Sequence, residues 1–173
     1  TSRVNHTTRI TKTISAKEFW RLVTELSEKG GVFSLQFMSN EDSAQFVIPA
    51  LKASAKKDGV FVGVGSEQNF TYIVATQPRL AFILDIRRDN MIEHLMYKAL
   101  FEVAADRADL ISRLFARKRP AGLNANSSVS ALFDAYQSVS VDDTYYEENL
   151  RTVIDRLVKT HLSASNGKDQ IAC

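Results

Sequence analysis

Apolar positions recur at helical spacing along most of this chain, and strand-like patterns are few and short. Ser15 with Glu18 forms an S-x-x-E capping box, and Ile14 is placed to staple onto the helix that follows. Phe19, Leu22, Val23 and Leu26 then mark a helical stripe that Gly30-Gly31 ends. Phe33, Leu35 and Phe37 alternate with Ser34 and Gln36, the pattern of a short half-buried strand or extended segment. Ser39 to Asp42 offers several N-cap side chains for a helix over about Ser43 to Lys56. Pro49 should kink or break that helix, because proline lacks the N–H the helix needs.

Val60-Phe61-Val62 is a β-rich run closed by Gly63-Val64-Gly65. A helix is expected over Gln68 to Ala75, with Pro78 ending it. Leu80 to Leu84 is a continuous apolar run ending in Asp85, as expected of a strand covered on both faces. From Asn90 a helix should bury Met91, Ile92, Leu95, Met96, Ala99, Leu100 and Val103. Another opens at Asp106 with Leu110, Ile111, Leu114 and Phe115. After a small-residue loop, Pro120 to Ser128, a short helix runs to about Tyr136. A last long helix, Asp142 to Leu162, turns Tyr146, Leu150, Val153, Ile154, Leu157 and Val158 inward. Val139–Val141 is the weakest strand candidate. Thr1–Thr13 reads as a loose arm and Ser163–Cys173 as a disordered tail.

This order of elements predicts a helix-rich α/β fold. One domain over 15–162 follows the arm (1–14) and precedes the tail (163–173), with an incomplete or truncated sheet. Isolated two-stranded sheets are not stable alone. The domain is therefore read as the front half of a longer protein, or as a chain that completes its sheet with another chain. The start at Thr1 rather than Met fits a processed or cut chain.

Bulk properties narrow the function classes. The 22 basic and 20 acidic residues leave a net charge of +2, without the basic excess expected of a nucleic-acid binder. The one cysteine, Cys173, permits no internal disulfide. No apolar run is long enough for a membrane span, and no signal-type core opens the chain, so the cytoplasm is the expected compartment.

The candidate chemistry sits in the unit from Val60 to Arg87. Glycines at a strand end let a ligand approach backbone with no Cβ in the way, and a following helix N-terminus offers free N–H groups. Asp85 comes twenty residues after Gly65, at the end of the next strand, where a carboxylate can accept both hydroxyls of a ribose. A right-handed crossover sets the two strand ends side by side. Gln68 stands where a dinucleotide fingerprint needs its third glycine, which disfavours NAD or FAD. No Gly-Lys-Ser/Thr follows, which excludes a P-loop, and Val64 breaks a serine-hydrolase elbow at Ser66. The alternative is structural: the glycines shape a tight turn and Asp85 caps the helix at Asn90.

The stretches V-G-V-G-S-E-Q-N-F-T-Y-I (Val62–Ile73), D-I-R-R-D-N-M (Asp85–Met91) and H-L-M-Y-K-A-L-F-E (His94–Glu102) resemble an uncharacterised bacterial family. L-S-E-K-G-G (Leu26–Gly31) and S-N-E (Ser39–Glu41) resemble it too. Its fold is similar to that of class I S-adenosylmethionine-dependent methyltransferases, a Rossmann-like three-layer architecture. The resemblance covers about Phe19 to Pro120. It implies that Gly63 and Gly65 line S-adenosylmethionine and that Asp85 meets its ribose. Ser66, Gln68, Asn69, Ile86 and Arg87 complete the expected cofactor-binding set, with Arg87 or Asn69 orienting a polar acceptor. Phe61 stands where an acidic residue often precedes the turn, and Glu67 where a further glycine is common. Those departures favour the rival reading, a non-catalytic ligand-binding or assembly module.

Other constellations have two readings each. Arg87-Arg88 is either an anion clamp or an ion-pair partner of Asp85, Asp89 or Glu93. Phe70 and Tyr72 are read as packing. His94, Tyr97 and Lys98 form either a proton-handling set or a solvated face. Arg113, Arg117, Lys118 and Arg119 complement a helix dipole or, less simply, meet phosphates. His6, His94 and His161 lack metal-type spacing, and no metal site is expected.

Overall fold

A computed structural model describes residues 14–27, Ser39 and 43–162. The predicted arm, the Phe33–Phe37 strand, the Gly30-Gly31 stop and the tail lie outside those residues. The chain divides into two units, 1–90 and 91–173.

The first unit opens with α1 (Ala16–Leu26), capped by Ser15, whose hydroxyl accepts the Glu18 N–H at 3.1 Å. The Glu18 carboxylate turns to Arg21, which also pairs with Glu25. Trp20, absent from the predicted stripe, is the buried residue of this helix and meets Phe19 edge-on at 5.1 Å, whereas Leu26 is exposed. A 3₁₀ turn, Ala44–Val47, runs into α2 (Ile48–Ser54). Pro49 sits in the first turn of α2, where its missing N–H has no intrahelical partner to lose. The predicted break is thus a helix start.

β1 (Val60–Val64) and β2 (Leu80–Leu84) pair in parallel, from Val60 opposite Leu80 to Val64 opposite Leu84. Between them α3 (Gln68–Thr76) makes the crossover, packed against α2 and β1. Gln77 ends α3 in the left-handed region, with its N–H on the Ile73 carbonyl at 2.9 Å, and Pro78 prevents continuation. The fold is α/β and helix-rich, with two parallel strands among the described residues. The expectation that β2 is covered on both faces fails at its end, where Leu84 is exposed while Leu80 to Ile83 are half-buried; on β1, Val60, Val62 and Val64 of that same face are exposed.

α4 (Arg88–Val103) begins two residues before the predicted Asn90 and crosses from the first unit into the second. Leu95, Ala99 and Leu100 are buried along its predicted stripe. The second unit continues through α5 (Arg107–Leu114), α6 (Val129–Gln137) and α7 (Asp143–Arg156), the last widening into a π-helical turn over Leu157–Leu162. Asp106, Ser128 and Asp142 cap these three helices, accepting backbone N–H groups at 2.9, 3.1 and 2.8 Å.

The packed core of this unit joins Leu95, Ala99 and Leu100 to Ala108, Ala116, Leu132, Tyr136, Val153 and Leu157. Val139–Val141 is irregular rather than a strand: Val139 closes the end of α6 with a bond to the Tyr136 carbonyl. On α7 only Val153 and Leu157 of the predicted inward set are buried. Tyr146, Leu150, Ile154 and Val158 stay exposed.

Candidate functional site

The glycine turn is built by β1 running one residue past its end. The Gly65 N–H bonds the Leu84 carbonyl at 3.1 Å, continuing the ladder, and Gly65 then adopts φ +85°, a conformation that side chains rarely accept. A Cβ placed on Gly65 would find Asp85 Oδ2 at 4.0 Å and, among the described residues, no nearer atom beyond its chain neighbours. The two residues singled out from sequence therefore lie side by side, with open space between them. Gly65, Ser66, Gln68 and Arg87 are half-buried, and Asp85 and Ile86 are exposed, so the crevice is reachable from solvent.

Gly63 has a different task. A Cβ there would overlap Asn69 Oδ1 and come within 2.7 Å of the Phe61 ring. Asn69 is 3 % exposed, and its Nδ2 donates to the Val64 and Ser66 carbonyls at 3.0 and 2.8 Å. Its carboxamide thus pins the turn from below. Ser66 donates to Gln68 Oε1 at 2.7 Å, closing the first turn of α3. Glu67 points its carboxylate at the Ser39 N–H, at 3.0 and 3.1 Å from its two oxygens.

Asp85 already accepts two hydrogen bonds, from the Arg87 N–H at 2.7 Å and from Asn90 Nδ2 at 2.6 Å. A carboxylate has about four acceptor positions, so it shapes the entry to α4 and keeps capacity for a ligand. Asn90, which sequence reading treated only as a helix start, is 3 % exposed; its Oδ1 is buried without a donor among the described residues. Its orientation is set by the Asp85 contact, since a flipped amide would aim oxygen at carboxylate. A hydrophilic residue three positions into a helix, just after a strand-end acid, was the available signal.

The remaining candidates resolve toward structure. Tyr97 stacks on Phe101 and Lys98 pairs with Glu102 at 2.5 Å, an ordinary helix-surface arrangement. The four basic residues near the end of α5 reach partners beyond the helix dipole. Arg113 pairs with Asp109, Arg117 donates to the Tyr136 carbonyl, Lys118 pairs with Asp142 and Arg119 with Asp106. An open apolar groove of about 370 Å³ lies between α2 and α3, lined by Ile48, Phe70 and Val74 among others, and does not include the Gly65–Asp85 crevice. No group of three or more metal-ligating side chains converges among the described residues, and no helix among them is long and apolar enough to cross a membrane.

No curated protein and no solved structure matches the chain. A family model described as a domain of unknown function (DUF7790) matches residues 36–170, so the chain belongs to that family.

Proposed function

We propose that this chain binds an adenosine-type ligand in the crevice between Gly65 and Asp85. S-adenosylmethionine is the candidate, and the frame is a Rossmann-like one of the methyltransferase type. The adjacency of the left-handed Gly65 backbone and the Asp85 carboxylate, at neighbouring ends of parallel strands, carries this reading. In it Asp85 holds a ribose hydroxyl with its remaining acceptor capacity. The orphaned Asn90 Oδ1 supports the fit, since it belongs to the carboxamide that touches Asp85 and a buried acceptor without a donor is costly. Gly65 and Ser66 present backbone to the ligand, and Arg87 orients a polar acceptor. S-adenosylmethionine would supply an activated methyl group; the chain's own contribution is position and alignment.

Calorimetry with S-adenosylmethionine and S-adenosylhomocysteine tests the proposal. Binding is expected for the wild-type protein and about tenfold or weaker binding for Asp85→Asn, which keeps an oxygen for the Arg87 N–H. Absence of heat with either ligand at millimolar concentration overturns it.

The bare valine face supports a second reading, a ligand-holding or assembly module without chemistry. Parallel sheets are ordinarily covered on both faces. In that reading a further layer, from a longer form of this chain or from another chain, covers Val60, Val62 and Val64. Ligand retained in native mass spectrometry, with no S-adenosylhomocysteine formed across a panel of acceptors, favours this reading over methyl transfer.

A further inference from the structure

α2 and the 3₁₀ turn before it carry apolar side chains toward solvent as well as toward α3. Phe46, Pro49, Ala50 and Ala53 recur at three- and four-residue spacing, share the outward face and are all exposed. Phe46 stands out furthest at 75 % exposed, with Val47 beside it at 46 %. On the other side Ile48 and Val74 line the apolar groove between α2 and α3, and Val74 is 74 % exposed. An exposed apolar face of this kind marks an interaction surface.

The charges around it are of one sign. Lys52 borders the groove, and Lys56 and Lys57 follow the end of α2, all three exposed. No acidic residue occurs from Ser43 to Lys57, and α3 carries no charged residue. Among the described residues the lysines held in ion pairs are Lys98, Lys118 and Lys159. The three beside α2 keep their charge for an anionic partner.

We infer that this face docks on an anionic lipid bilayer, lying at its surface rather than spanning it. Phe46 and Val47 enter the headgroup boundary, and the small Pro49, Ala50 and Ala53 let α2 lie flat. The lysine ammonium groups meet lipid phosphates while their stems rest on apolar surface. A bilayer fits this face better than an acidic protein does. Protein partners anchor in well-packed pockets, whereas one protruding aromatic on a small-residue face suits a fluid interface. One aromatic and two valines hold weakly alone, and each lysine near an anionic surface adds about fivefold. Negative headgroups are therefore required.

Co-sedimentation of the full chain with phospholipid vesicles tests this. Binding is expected to vesicles of phosphatidylcholine with about one quarter phosphatidylglycerol. It should fall about tenfold or more with phosphatidylcholine alone or in about 0.5 M salt. Phe46→Ser should weaken binding about tenfold, and the triple variant K52Q/K56Q/K57Q about fiftyfold. The charge-matched control K98Q/R151Q/K159Q should bind within about threefold of the wild type. All these side chains except Phe46 are long surface cations, and an unchanged circular dichroism spectrum shows that the helices persist. No binding to the mixed vesicles at millimolar lipid, equal binding to both compositions, or a lysine variant no weaker than its control would overturn the inference. Capture by polyglutamate without binding to vesicles would overturn it too, and assign the face to an acidic protein.

Discussion

The Asp85 carboxylate lies 4.0 Å from the point that a Cβ on Gly65 would occupy, and this contact distance separates two constraints on residue 65. Space for a methyl group exists; the backbone conformation, φ +85°, is what favours glycine. Gly65→Ala is therefore expected to cost about 1–2 kcal/mol in urea unfolding, through the left-handed backbone rather than through overlap. A variant as stable as the wild type would show that the turn relaxes freely.

Gly63 reverses that balance, since its backbone is ordinary and its surroundings are full. Gly63→Ala should cost about 2–4 kcal/mol because the new methyl overlaps Asn69 Oδ1. Asn69→Ala should cost about 1–3 kcal/mol through the carbonyls of Val64 and Ser66 that it serves. Combined, the two should cost less than their sum, because the second substitution removes the first one's obstacle. Strict additivity in the unfolding free energies would remove Asn69 as the cause.

Tyr136 is the buried polar tie of the second unit. It is 4 % exposed, donates from its hydroxyl to the Ala108 carbonyl at 2.7 Å, and burial raises its pKa above the usual phenol range. Tyr136→Phe leaves that carbonyl without its donor and should destabilise by about 1–2 kcal/mol, read as a lower midpoint in thermal unfolding.

Acid should weaken the second unit through two capping carboxylates. The Lys118 ammonium, and then the Tyr145 N–H, hold Asp142 below the ordinary carboxylate range. Asp106 is lowered first by the Asp109 N–H and, more weakly, by Arg119. Groups depressed in the folded state stabilise it above their unfolded pKa of about 3.9, and that contribution is lost as pH falls through the folded values. Lys118, raised by Asp142, is consistent: its share is lost only in strong alkali. Thermal midpoints of Asp106→Asn and Asp142→Asn should therefore fall less steeply below pH 4 than the wild type's. Asparagine keeps the cap but cannot titrate.

Local features were the most legible ones. Ser15, Asp106 and Asp142 act as caps because a cap depends on a few consecutive residues, and the strand–turn–helix–strand run from Val60 to Leu84 formed as its pattern required. The Gly65–Asp85 pairing was legible for the same reason, since the handedness of the crossover dictates it. The backbone bonds of Asn69 and the Asp85 contact of Asn90 were not legible, because a polar side chain near a turn reads identically whether it faces ligand or backbone. Only the burial of its carboxamide distinguishes the two.

The amino-acid pattern by itself determined which residues open α1, α5 and α7, that β1 and β2 run parallel, and that Gly65 lies beside the Asp85 carboxylate. These follow from short-range sterics and hydrogen bonding. Which apolar faces are buried was decided by tertiary structure. The valine face of the sheet and the Tyr146–Val158 row of α7 have the periodicity of buried surfaces and stand exposed, while Trp20 and Ser112 are buried off the expected stripes. Periodicity specifies that a face exists; burial also requires a neighbour to cover it, and the pattern of one element says nothing of its neighbours.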